Sequence, residues 1–466
     1  MEQESSIIDE KIIHFYLNEE LKKENITDWK IDYYHTKQNN IYIEQNFKTE
    51  SILKSERKEY LITVYKSFES KIGTSTFILN DSSTIKELKE EIQDAVFISS
   101  VSLSEKYILP KVEDESVKDD HIDYSIFYNQ KVHDNFDIYD FEAFLNEKFN
   151  ILKDEIETNN DEKVKLKINY VEFFNSAGFH KLTTSSGINK SSKNNSTYLE
   201  FVITATDINK NEEKEHIIYE EISDLLEFNF YDFFKKHLKY AKDTITAQNA
   251  LDFKGPVILT GFAGPDFFIP TIGDLNPFIL FASAKLKFMQ ISDYQINQKV
   301  LNTKKDHLTI YSNPFISKNS ASVPYDDLGI SAQKICIIND SVFKNHISSK
   351  QYADYINVLP SGPLGVIEVS SGSKNEDDMY NDNEDKIEIV SFSSFDPDST
   401  SGDFSSEIRL GYRIKNGIRI PFKGGLFVGN VFKIIEEMYL SKEQINIPGY
   451  CGPRTIKFNK GKIVGL

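Results

Sequence analysis

Apolar side chains recur every three to four residues at the start of the chain. Ile7, Ile8, Ile12, Ile13, Leu17 and Leu21 share one stripe, and this spacing predicts an amphipathic helix over residues 6–21. The period then falls towards two, with strand-like runs at 29–34, 41–45, 60–65 and 74–79. A second helix is expected after Ser83, where Thr84 and Glu87 form a capping-box pair and Ile85, Leu88, Ile92, Ala95 and Val96 continue a buried face. Residues 110–123 turn acidic and polar and read as a linker.

A new unit follows. Phe141, Phe144, Leu145, Phe149 and Leu152 mark a helix, residues 163–170 alternate strictly between polar and apolar as a half-wet strand does, and 198–206 is a further strand. A long amphipathic helix is expected over 225–247. After Gly255 short apolar runs broken by Gly, Pro, Asn and Ser predict many short strands, with a helix over 431–439 and a mobile surface loop over the acidic stretch 373–385. The expectation is an α+β protein: an N-terminal α+β domain at 1–110, a central α+β domain at 122–248 and a β-rich C-terminal domain at 252–466.

Composition narrows the function. Of 466 residues, 39% are hydrophobic and 13% aromatic, enough apolar area for packed cores. A net charge of -18 repels phosphate backbones and anionic lipid, so neither nucleic acid nor membrane is the expected partner. The acidic first six residues lack the pattern of a signal peptide, and Cys336 and Cys451 alone make no disulfide framework, so the cytoplasm is the expected compartment.

The chemistry is sparse. The nine histidines include no pair one helical turn apart with an intervening Glu, so a thermolysin-type zinc helix is missing. Glu215-His216 with Glu220 and Glu221 reads as a solvated strand end. Asp396, Asp398, Thr400 and Glu407 fall at calcium-loop positions, but Ser401 stands where that loop needs glycine, and a turn capping its own backbone is the simpler reading. A carboxylate metal site built from Asp396, Asp398, Asp403 and Glu407 is a weaker alternative. Cys336 reads as a buried strand residue, and Cys451, without a neighbouring base, as an inert thiol.

Several segments, taken in order, resemble the TldD/PmbA family, whose members are described as modulators of DNA gyrase and as metalloprotease-related. They are Asn175-Ser176-Ala177-Gly178, which resembles the family's central turn, Tyr325-Asp326-Asp327-Leu328-Gly329, Ser401-Gly402-Asp403-Phe404-Ser405 with Gly411, Asn416-Gly417 and Gly429-Asn430, and the tail from Tyr450 to Gly465. The resemblance implies three structural parts and two kinds of subunit. TldD-like subunits carry a His-Glu-x-x-x-His zinc helix and a cysteine ligand. PmbA-like (TldE) subunits lack the helix and pair with them to degrade unfolded or flexible peptides. Here residues 257–268, where the zinc helix would fall, contain no His, so the chain sides with the PmbA/TldE branch. No catalytic or metal-binding residue is carried over, Cys451 included. Zinc is expected in a TldD-like partner, and Ser401, Gly402, Asp403, Phe404 and Ser405 are the peptide-groove candidates. The alternative is a stand-alone homodimeric peptide-binding or scaffold protein.

Overall fold

Capping sets the first two helices. Asp9 accepts a hydrogen bond from the Ile12 amide at 2.9 Å and starts α1 (Glu10–Lys22). Thr84 and Glu87 close the expected capping box, with Glu87 N donating to Thr84 Oγ1 at 3.3 Å and Thr84 N to Glu87 Oε2 at 2.7 Å, and start α2 (Ile85–Val101). The computed structural model describes residues 8–222, 224–269, 276–381 and 384–465. Ile7 of the expected stripe, the acidic N-terminal hexad, and Asp382 and Asn383 of the expected loop lie outside the described residues.

The first half of the chain builds one antiparallel sheet from β1 (Asp28–Glu44), β2 (Lys48–Ser67), β3 (Lys71–Asn80), β4 (Leu103–Glu105), β5 (Val164–Thr184), β6 (Asn189–Asp207) and β7 (Glu212–Ile222). Their order is β4-β3-β2-β1-β5-β6-β7. The acidic stretch at 110–123 separates two cores but not two sheets. β1 and β5 pair from Lys30 opposite Thr184 to Glu44 opposite Tyr170. Two predicted runs, 29–34 and 41–45, are therefore parts of a single strand, and the polar residues between them are held extended by ladders on both sides. The Asn175-Ser176-Ala177-Gly178 segment lies within β5 and is strand rather than turn. Asn175 is buried there and accepts a hydrogen bond from Thr197 Oγ1 at 2.9 Å.

One face of this sheet carries both cores. Ile31, Ile41 and Ile43 share a parity along β1, so all three point the same way. Ile31 packs under α1 and α2, with Ile13, Leu17, Leu88 and Ile92. Ile41 and Ile43 pack under α4 (Phe141–Asn159) and α5 (Phe230–Thr246), which follow a short α3 (Gln130–Asp134). The opposite face at Lys30 and Asp32 is covered by the Tyr325–Gly329 segment of the C-terminal half. Lys30 Nζ donates to Asp327 O at 2.8 Å and lies 2.9 Å from Asp32, whose other carboxylate oxygen is 2.9 Å from His180 Nε2.

The C-terminal half is two sheets facing across one core. The strands are β8 (Gln248–Asn249), β9 (Phe253–Leu259), β10 (Ile310–Asn313), β11 (Ile335–Asn339), β12 (Val342–Phe343), β13 (Val366–Val369), β14 (Lys386–Phe392), β15 (Asp403–Lys415), β16 (Ile418–Lys423), β17 (Leu426–Asn430), β18 (Met438–Leu440), β19 (Gln444–Ile447), β20 (Tyr450–Pro453) and β21 (Ile456–Val464). One sheet runs β12-β11-β10-β13-β20-β19 and the other β14-β9-β21-β17-β15-β16-β8, with β18 against β21. Phe267, Phe278, Phe343, Phe395, Phe427 and Phe458 fill the space between them. Strand content of 41% against 25% helix makes the chain α+β with a β-rich C-terminal region.

Helices here are short: α6 (Ala263–Asp266), α7 (Ala284–Phe288), α8 (Lys350–Ile356), α9 (Glu376–Tyr380) and α10 (Val431–Ile434). The helix expected over 431–439 is α10 followed by a 3-10 turn at Ile435–Glu437, and it ends there because Met438 leaves it to pair with Phe458 in β21. The acidic stretch expected to be mobile contains α9, whose Met379 is buried and whose Glu376 accepts from Thr455 Oγ1 at 2.7 Å. Among the described residues, no helix is long and apolar enough to cross a membrane.

Candidate functional site

β7 is the last strand of its sheet, so one backbone edge has no strand partner among the described residues, and α5 lies against its inner face. The C-terminal sheet approaches that edge through β14, β15 and β16. A cavity of about 590 Å3 remains between them, lined by residues 214–219 of β7, by His237, Tyr240 and Thr244 of α5, and by Phe262 and Asp266 beside α6. A second cleft of about 760 Å3 continues past Tyr240 and Phe262 to Glu220, Lys236, Lys318 and Arg454.

Two histidines meet in the first cavity. His216 lies on the inward parity of β7, and its Nε2 is 3.2 Å from Nδ1 of His237 with the rings stacked at 5.5 Å. His237 is 1% exposed, packs against Phe233 at 4.6 Å and Phe262 at 5.8 Å, and its Nε2 has no hydrogen-bond partner among the described residues. Burial lowers both imidazoles, His216 to about 4 with Arg409 and Lys236 adding to the effect, and His237 well below its ordinary value. Both rings are therefore neutral at pH 7. His216 is not the solvated strand end that its charged neighbours suggest. His237 escaped the sequence reading although its signal was present, since it occupies the buried phase of α5 with Phe230, Phe233, Phe234, Leu238 and Ala241.

The segment where a zinc helix would fall forms the end of β9 and α6. Thr260 Oγ1 donates to Glu388 Oε1 at 2.9 Å. Glu388, 4% exposed, is held by Arg419 in a two-pronged pair, Nε to Oε2 at 2.9 Å and NH2 to Oε1 at 2.8 Å. Asp266 is the titratable residue of α6, and burial, with Asp396 adding, pushes its carboxyl up to about 7. Zinc wants imidazole or thiolate donors converging at about 2.0–2.3 Å, and residues 257–268 contain neither. Among the described residues, no three of His, Cys, Asp and Glu converge as a metal site. Cys451, half-buried on β20 opposite Glu368, has its thiol pushed up by burial and by that carboxylate, and Cys336 is half-buried on β11.

The carboxylates of 396–407 are largely spent locally. Asp398 accepts from the amides of Thr400 at 3.1 Å and Ser401 at 2.6 Å, Asp403 from Asn430 Nδ2 at 2.8 Å, and Glu407 from Ser393 Oγ at 3.0 Å. Of the groove candidates, Ser401 and Gly402 form the turn before β15, Gly402 with φ +76 against Phe432. Phe404 is buried on Phe427, ring centroids 4.9 Å apart, while Asp403 and Ser405 are exposed. This strand pairs with β17 on one edge. On the other edge Asp403 O and Glu407 O already accept from Asp398 N and Ser393 N.

Linkage gives the Asp266 site a measurable sign. Its carboxyl titrates higher folded than unfolded, so its contribution to stability is complete below the unfolded value near 4 and lost as pH rises through about 7. Asp266→Asn is expected to raise stability by about 1–3 kcal/mol at pH 8, a figure reduced from the full linkage because the side chain is partly exposed. The gain should vanish at pH 4, as thermal melts of both proteins at the two pH values would show. His216 works in the opposite direction, losing stability as pH falls from 6.5 towards about 4, but equally in both proteins.

Residues 278–465 match the PmbA/TldA metallopeptidase C-terminal domain. The chain is 22% identical over 170 residues to a protein of Archaeoglobus fulgidus named metalloprotease, covering 34% of this chain and 39% of that one. It is 26% identical over 161 residues to a metalloprotease TldD homolog of Buchnera aphidicola, covering 31% and 33%. The chain thus spans between a third and two-fifths of the length of these curated relatives. The crystal structure of TldE from Thermococcus kodakarensis superposes with a TM-score of 0.77 over 97% of this chain and 100% of that one, at 16% identity, which is agreement of fold. These matches liken residues 278–465 to the PmbA/TldA metallopeptidase C-terminal domain and the fold of the chain to that of TldE.

Proposed function

We propose that this chain is a PmbA/TldE-like, non-catalytic subunit of a TldD/TldE-type zinc metalloprotease that acts on unfolded or flexible peptides in the cytoplasm. The observation that carries the reading is the segment Thr260–Asp266. Thr260 is turned to Glu388, burial raises the Asp266 carboxyl to about 7, and the segment carries neither an imidazole nor a thiolate to hold zinc or ready a water. Zinc and hydrolysis then belong to a TldD-like partner, while this chain helps to enclose and hold the peptide.

Backbone pairing selects extended segments with little regard to side chains. At 401–405 the bonds already made by Asp403 O and Glu407 O leave the backbone of Ser405 between them. β7 offers a longer seat, since among the described residues no strand pairs with its outer edge along the six residues that line the cavity. The purified chain with zinc and an unfolded peptide should show no chelator-sensitive cleavage, and adding a TldD-like subunit from the same cell should produce it. Chelator-sensitive cleavage by the isolated chain would overturn the assignment.

A further inference from the structure

Three cations line the cavity beside β7. Lys214 and His216 sit on the same parity of that strand, Lys423 ends β16 opposite Asn249, and Arg409 projects from β15. The Lys423 ammonium lies within hydrogen-bonding reach of the Lys214 ammonium, and burial together with this neighbour lowers it to about 8, with Glu212 offsetting the effect. Among the described residues none of the three is within 4.0 Å of a carboxylate oxygen. Like charges brought together repel, and an anion placed between them removes that cost.

The same cavity holds the buried Nε2 of His237, unpartnered among the described residues. A buried polar nitrogen without a partner is costly, and a ligand that supplies the missing hydrogen bond recovers the loss. Lys214 and His216 are two strand residues apart, roughly 7 Å, so a ligand reaching from the lysines to the histidines is about the size of a terminal dipeptide. The carboxylates on the cavity wall are Glu215, Glu407 and Asp266. Glu215 is occupied by Asn169 Nδ2 at 3.1 Å, Glu407 by Ser393, and burial raises Asp266 to about 7, so its charge is partly suppressed at neutral pH. These acids penalise a phosphate dianion more than a singly charged carboxylate.

We propose that the cavity is a binding site for the terminal carboxylate of an extended peptide, held by Lys214, Lys423 and Arg409, with the peptide main chain running along β7 past His216 and His237. The proposal rests on the reading of this chain as a peptide-receiving subunit and adds the end of the peptide that it takes. A free phosphate or small carboxylate shares the anionic chemistry, so the test separates them.

The full chain is titrated with an acetylated apolar tetrapeptide bearing a free C-terminal carboxylate, with its C-terminal amide, and with inorganic phosphate, using calorimetry at pH 7. The acid should bind at least 10-fold more tightly than the amide. Lys214→Met and Lys423→Met should each weaken the acid about 5- to 10-fold and leave the amide unchanged, with a melting temperature no lower than the parent's because a like-charge contact is relieved. His237→Phe should weaken acid and amide alike. Equal binding of acid and amide, unaltered in the lysine variants, overturns the end-group assignment while the peptide-receiving reading stands. Binding of phosphate with no binding of either peptide overturns both.

Discussion

Arg419→Ala is expected to destabilise the protein by about 3–5 kcal/mol. The cost falls on Glu388 rather than on the arginine, which is itself partly exposed. Glu388 is 4% exposed in β14, and both its oxygens are engaged by Arg419. Removing the guanidinium leaves a buried carboxylate with only the neutral hydroxyls of Thr260 and Tyr380 beside it. It also uncovers Tyr412, whose ring lies 3.7 Å from the guanidinium and whose hydroxyl donates to Asp243 of α5 at 2.6 Å. The C-terminal sheet and α5 would therefore loosen together at the cavity. Chemical denaturation should show the loss, and Arg419→Met with Glu388→Leu should recover most of it, because an apolar pair of similar volume spares both desolvation costs. A single substitution costing less than about 1 kcal/mol would mean that the pair is solvated.

Phe267→Ala carries a comparable expectation, a loss of about 3–5 kcal/mol, with Phe267→Leu costing markedly less. The ring is fully buried and touches Phe458 at 5.0 Å, Phe268 at 5.4 Å, Phe278 at 5.5 Å and Phe395 at 5.7 Å between centroids. Phe395 and Phe458 come from distant parts of the sequence and share one core with Phe267, so the space left behind closes poorly. Because Phe267 directly follows α6, the same change should disturb Asp266 and the cavity wall, and the pH dependence of stability assigned to Asp266 should diminish with it.

Local signals in the sequence led to the right elements where the elements are local. The capping box at Thr84, the apolar stripe of α5 and the alternation that opens β5 each specify their own segment. Failures came where the deciding contact lies far along the chain. Residues 35–40 are polar throughout and carry no strand pattern, yet they are extended because β2 and β5 flank them. Met438 abandons a helix that its neighbours would continue because Phe458 offers a ladder. Residues 373–385 looked too acidic to order, but one buried Met379 and the Thr455 hydrogen bond hold α9 in place.

The candidate site divides the same way. The lack of histidine and cysteine at 257–268 is a matter of residue types alone. The turn chemistry of Asp398 was legible because an aspartate caps its own loop locally. The histidine pair was not, since it joins a strand to a helix 21 residues on and owes its character to burial rather than to spacing. The cationic group was hidden further still, because Lys214, Arg409 and Lys423 come from the two halves of the protein and meet only when β7 faces β15 and β16.

The seven-stranded sheet also has a consequence for the birth of the molecule on the ribosome. β1 is complete at Glu44, but its second neighbour, β5, begins at Val164, about 120 residues later. At ordinary synthesis rates that interval is on the order of ten seconds. Throughout it the nascent hairpin presents a bare row of amide and carbonyl groups to its surroundings, an invitation to pair with the wrong strand. A holdase that shields this ribbon until the middle of the message has been translated would do more for the yield of native protein than any change to the finished surface.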